Sequence, residues 1–131
     1  QRIEQLLADR PGNLIGVFGG AGGRYIIDEL NRGSLGTFPA IELTELHVEL
    51  VKAHRSGAVD LARDLFTSML PILNMQAVYR CSLTKEVLRR RGIVATNYVR
   101  APGPIMDDTD SKELEAFWGL VEPGMGTLEV A

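Results

Sequence analysis

Cysteine is almost missing from this chain: Cys81 stands alone among 131 residues. A lone thiol excludes an internal disulfide framework and fits a reducing, cytoplasmic setting. Long apolar runs are missing as well. No stretch approaches the roughly 18 consecutive apolar residues of a membrane span, so no membrane partner is expected. Positive charge is in deficit, with 14 Lys and Arg against 17 Asp and Glu and a formal net charge of −3. A nucleic-acid partner would want the opposite balance. Metal ligands are sparse too. His47 and His54 lie seven apart with no third His or Cys near them, and both read as helix-surface residues. Asp107, Asp108 and Asp110 lack the spacing of a calcium loop, so no metal site is expected. The chain opens on Gln1-Arg2-Ile3-Glu4, with neither Met nor a signal-peptide pattern, and reads as the interior of a longer polypeptide.

What is present is an ordinary globular composition, 45% hydrophobic and 24% charged, enough for one domain core. Ile3, Leu6 and Leu7 predict a short helix that Arg10-Pro11-Gly12 turns off. Residues 13–20, NLIGVFGG, form a short apolar run bounded by turn residues, the pattern of a buried strand. RYIIDELNRG follows as a helix closed by Gly33, and LGTFPA, 35–40, as a second strand ended by Pro39. Strand, helix and strand with short connections make the βαβ unit of a parallel sheet. Beyond it only helices are expected. One closes at Gly57. A second carries a stripe from Leu61 to Leu73 and is kinked or ended by Pro71. A third opens at Ser82 and stops at Gly92, and a last one opens with an Asp110/Glu113 capping box. Two strands leave both edges of such a sheet bare, and it wants neighbours that these residues do not supply.

Gly19-Gly20-Ala21-Gly22-Gly23, where the first strand hands over to a helix, is the natural ligand-facing stretch. A dinucleotide fingerprint needs a third glycine where Tyr25 stands and an acid at the end of the next strand, which reads Leu-Gly-Thr-Phe-Pro. A phosphate loop would need Gly-Lys-Ser/Thr, which is absent. Two readings remain open on spacing alone. One is the mouth of a (β/α)₈ barrel, where bare backbone meets an acid at the strand ends. The other is close strand–helix packing with no ligand. Arg24 reads equally as a carboxylate ligand or as an outward arginine at a helix start.

The ordered blocks IGVFGGAGGRYIIDELNRGSLGTFPAIELTELHVELVKAHRSGAVDLARDLFTSMLPIL and KEVLRRRGIVATNYVRAPGP resemble the C-terminal half of the dihydrodipicolinate synthase/N-acetylneuraminate lyase family. The resemblance implies an α/β fold, the C-terminal part of a (β/α)₈ TIM barrel. Residues 1–40 would hold strands seven and eight, 41–122 the eighth helix and a C-terminal helical extension, and 123–131 a tail. It implies a lyase that binds pyruvate or a 2-keto-3-deoxy sugar acid as a Schiff base, for aldol addition or cleavage or for dehydration. No separate cofactor is implied. The family's lysine and tyrosine lie upstream, so no catalytic residue is expected here; Lys52, Lys85 and Lys112 fall on helices beyond the strands. The residues implied at the substrate are Gly19, Gly20 and Ala21, with the register open by one, and Phe38. The partners implied are the missing N-terminal barrel half, the keto acid and further copies in a homo-oligomer, often a tetramer in the family. The alternative is a non-catalytic half-barrel serving as a binding or assembly module.

Overall fold

The computed structural model describes residues 2–9 and 12–125. The turn expected at Arg10-Pro11 and most of the expected tail lie outside the described residues. Helix α1, Arg2–Ala8, buries none of its residues. Strand β1, Phe18–Gly22, leads into the short helix α2, Ile26–Asn31, and then strand β2, Gly36–Pro39. The two strands run parallel, with Phe18 opposite Gly36 and Gly19 opposite Thr37, and the register shifts before Gly22 meets Pro39. A turn of 3₁₀ helix over Ile41–Leu43 leads into α3, Thr44–Arg55. Helices α4, Val59–Tyr79, α5, Cys81–Arg90, and α6, Asp108–Val121, complete the body.

The core sits among the helices. Leu43, Leu46, Leu50 and Ala53 from the α3 side meet Ala62, Met69, Ile72 and Leu73 of α4 in one buried cluster. Leu83 and Val87 of α5, Leu114 and Val121 of α6, and Ile26 and Leu30 of α2 join it. The spacing in α4 is that of one helical face, and it keeps to that face through Pro71. The helix therefore runs unbroken to Tyr79 instead of ending at Pro71. Pro71 removes one backbone hydrogen bond, and burial of Met69, Ile72 and Leu73 on both sides of it outweighs that loss.

Three further boundaries differ from the sequence expectation. The first strand starts at Phe18, not Asn13, because its pairing with β2 opens at Phe18 and Gly36, and Ile15 is almost fully exposed. Its last contact before the ladder is the Leu35 amide donating to the Val17 carbonyl at 2.8 Å. Helix α6 is capped by Asp107, whose carboxylate accepts from the Thr109 and Asp110 amides while Asp110 returns a bond to the Asp107 amide. The box thus lies three residues earlier than the Asp110/Glu113 pair. Ser82 does not cap α5; its hydroxyl donates to the Pro104 carbonyl at 2.8 Å, and Arg80, at φ +50, joins α4 to α5 without a side-chain cap. Gly33, at φ +90, closes α2 as expected.

Leu73 is fully buried at the centre of this cluster. Leu73→Ala should cost about 2–5 kcal/mol through lost transfer energy and the cavity left behind. Urea denaturation followed by circular dichroism would register it as a lower midpoint at an unchanged slope.

Candidate functional site

Alternation along β1 and β2 sorts the strand-end residues onto two faces. Phe18, Gly20 and Phe38 share the open face, and Gly36 is buried on the same side beneath Phe18. The Phe18 and Phe38 rings lie 6.0 Å apart and tilted, and a Cβ built on Gly36 would sit 3.4 Å from the Phe18 ring. Phe18 is 54% and Phe38 73% exposed, and around Gly20 there is nothing within 4 Å of a Cβ position. Of the four residues expected at a substrate, Gly20 and Phe38 are thus brought together on an uncovered face. Gly19 points the other way. The Glu29 carboxylate of α2 occupies the space where a Gly19 side chain would stand, and its Oε1 accepts from the Gly20 amide at 3.4 Å. Ala21 lies in the register shift between Gly19 and Gly22, exposed, at φ +53.

Three consecutive residues here, Ala21, Gly22 and Gly23, have positive φ of 53, 68 and 89°. For the alanine this conformation costs roughly 1–2 kcal/mol. The turn is held by amide bonds: Gly23 to the Gly20 carbonyl at 3.0 Å, Ala40 to the Gly22 carbonyl at 3.1 Å and Ile26 to the Gly23 carbonyl at 3.1 Å. Two side chains brace it. Arg24 donates to the Leu73 carbonyl of α4 at 3.0 Å, which makes it a tether into the helical body. His47 of α3 fills the space beside Gly23 where a side chain would stand.

His47 is only 3% exposed, which corrects its reading as a surface histidine. It falls four residues after Leu43 and three before Leu50, on the buried stripe, and that spacing was the signal available in the sequence. Its Nδ1 lies 2.8 Å from the Leu43 carbonyl; a carbonyl only accepts, so Nδ1 carries the proton. Burial pushes the imidazole pKa down, opposed by the Leu43 and Gly22 carbonyls. Glu42, just past β2, is fully buried and receives the Thr84 hydroxyl at 3.3 Å. Burial pushes its carboxyl pKa up.

The three lysines lie far from this turn in role. Lys52 pairs with Glu49, Lys85 donates to the Tyr98 carbonyl and Lys112 is exposed on α6. The arginine run at 89–91 is also committed: Arg89 and Arg90 both bind Glu86, while Arg91 binds Glu45 and lies over the Trp118 ring at 6.0 Å. Beside Glu86 a separate cleft of about 670 Å³ opens between α5, residues 97–106 and the start of α6. Among the described residues no cluster of His, Cys, Asp or Glu could hold a metal, and no helix is long and apolar enough to cross a membrane.

An α/β chain with a small parallel pair and a helical body fits part of a (β/α)₈ barrel protein. No family model matches the chain, and neither does any curated protein. A solved structure does: dihydrodipicolinate synthase from Rhodopseudomonas palustris, at a TM-score of 0.79 and 26% identity. The match covers 91% of this chain and 40% of that one, so the chain spans about two fifths of the enzyme it resembles. That likeness is consistent with the C-terminal half of the dihydrodipicolinate synthase family.

The Glu86 carboxyl is held down to about 2, chiefly by the Arg89 guanidinium, with Arg90 and Asn97 adding to it. A depressed carboxyl stabilises the fold fully above its ordinary value of 4.5, and this contribution drains away as pH falls toward 2. The stability gap between wild type and Glu86→Gln should therefore be widest above pH 4.5 and shrink toward pH 2. Urea midpoints measured for both proteins across that range would read it.

Proposed function

We propose that this chain is the C-terminal part of a Schiff-base-forming lyase acting on pyruvate or a 2-keto-3-deoxy sugar acid. In this reading β1 and β2 are the seventh and eighth barrel strands, and the helices from α3 onward are the eighth helix and the extension. The reacting lysine is supplied by a segment outside these residues. The observation that carries the reading is the uncovered face of Phe18, Gly20 and Phe38 at the end of a parallel pair, in a chain that superposes on 40% of dihydrodipicolinate synthase.

The residues of this chain then act as pocket wall. Gly20 leaves room for a planar keto acid to approach bare main chain, and Phe38 covers its apolar side. The Ala21 backbone borders the mouth, while Gly19 turns away and seats Glu29 behind the strand. The chemistry belongs to the absent lysine: its amine adds to the keto carbon and water leaves. The iminium then takes up the electrons of the Cα–Cβ bond as the β-hydroxyl gives up its proton and leaves as an aldehyde, or those of the Cα–H bond, after which the enamine expels the β-hydroxyl as water. Hydrolysis frees the lysine in either case. No dissociable cofactor is needed for either course. A cytoplasmic homo-oligomer completes the proposal.

The natural full-length protein, incubated with pyruvate or a 2-keto-3-deoxy sugar acid and then borohydride, should gain one reduced adduct per chain. Peptide mapping should place it on a lysine outside residues 1–131. Gly20→Val should lower kcat/KM by about 10²-fold by displacing the keto acid. A protein that gains no adduct with either class of acid, or one that is labelled only at Lys52, Lys85 or Lys112, would overturn the reading. A protein without adduct would leave the non-catalytic assembly module.

A further inference from the structure

We infer that His47, as a neutral imidazole, is the positioning residue of the strand-end turn at Ala21–Gly23, setting the main chain at the substrate mouth without touching substrate. The substrate half of this statement rests on the function proposed above; the coupling between His47 and the turn does not.

The turn strings three positive φ angles together, one of them on an alanine, and its amide bonds all lie within it or toward Ala40. On the helical side the wall is the His47 ring, packed where a Gly23 side chain would stand. The ring cannot rotate away freely, because Nδ1–H is spent on the Leu43 carbonyl one helical turn back. Nε2 is thereby left as a bare lone pair, buried and without a hydrogen-bonding partner, facing the glycine main chain. No larger residue fits at Gly23 while the ring is there, so the ring and the glycine define each other.

Protonation would change what that wall does. An imidazolium carries a second N–H, at Nε2, and the Gly22 carbonyl favours that charged form. That carbonyl also receives the Ala40 amide, which ties the end of β1 to the end of β2. A charged His47 would compete for it and draw the turn toward α3. The charged groups on the surrounding elements are engaged elsewhere. Glu42 meets Thr84, Glu45 meets Arg91, Glu49 meets Lys52, Arg24 meets the Leu73 carbonyl, and Glu29 lies on Gly19. From β2 no titratable side chain is available, and α4 presents Gln76 near Gly22. None of these pairings offers the ring a counter-ion, so acid acts on the turn through His47 itself.

The direction follows from linkage. With its pKa held below the ordinary 6.5, His47 stays neutral and the turn intact above that value. Both yield as pH falls below 6.5 toward the lowered pKa.

Two measurements on the natural full-length protein test this. In the first, nuclear magnetic resonance of protein labelled with ¹⁵N-glycine and ¹⁵N-histidine, free of substrate, should show the Gly22 and Gly23 amides moving with the His47 imidazole along one titration curve. In the second, His47→Gln and His47→Leu should keep the borohydride-trapped adduct and raise KM for the keto acid about tenfold. They should leave kcat nearly unchanged and flatten the acid limb of kcat/KM below pH 6.5. Glycine amides that ignore the imidazole titration would overturn the inference, whatever the activity and even if the variants fail to fold. Variants with wild-type KM and an unchanged acid limb would overturn its substrate half. Coupled titration in a protein that forms no adduct would uphold the positioning role and sink the proposed lyase instead.

Discussion

The packing of α3 on α4 is the interaction on which the rest of the structure depends. Leu43, Leu46 and Leu50 share one buried apolar cluster with Met69, Ile72 and Leu73. The four-residue and five-residue strands could not hold a conformation by themselves. Their ends are fastened to the helical body instead: Arg24 to the Leu73 carbonyl, His47 to Gly23, and the 3₁₀ turn after β2 through buried Leu43. Each fastening comes from a residue inside or beside the α3–α4 contact. A site at the strand ends is therefore only as well defined as a helix pair about one side chain away from it.

This arrangement explains which parts of the fold could be read from the residues. Period and punctuation exposed the strand–helix–strand start, the glycine-closed helices and the apolar face of α4, because each is a local pattern with a local cause. Pro71 misled because proline speaks only for its own backbone bond, while the buried residues beside it decide the helix. The cap of α6 was displaced by three residues because four acids stand at 107, 108, 110 and 113. Only the geometry of the turn selects which of them reaches back to the amides.

At the candidate site each glycine admits something different. Gly20 is open on the exposed face, Gly19 makes room for a carboxylate behind the strand, and Gly23 makes room for an imidazole. A glycine carries no mark of what replaces its side chain, so these roles could not be told apart in the sequence. The partners could have been suspected. Glu29 and His47 are polar residues at positions of their helices where the neighbouring spacing, Ile26 with Leu30 and Leu43 with Leu50, is apolar and buried. A polar residue on an inward stripe is worth tracing to whatever it meets.

Trp118 is the sole tryptophan of the chain, and it lies beneath the Arg91 guanidinium that also binds Glu45. Three helices, α3, α6 and the end of α5, therefore converge on one indole. Its emission is an optical gauge of whether the helical body is assembled. A ligand that loosened the helices would change its intensity and colour.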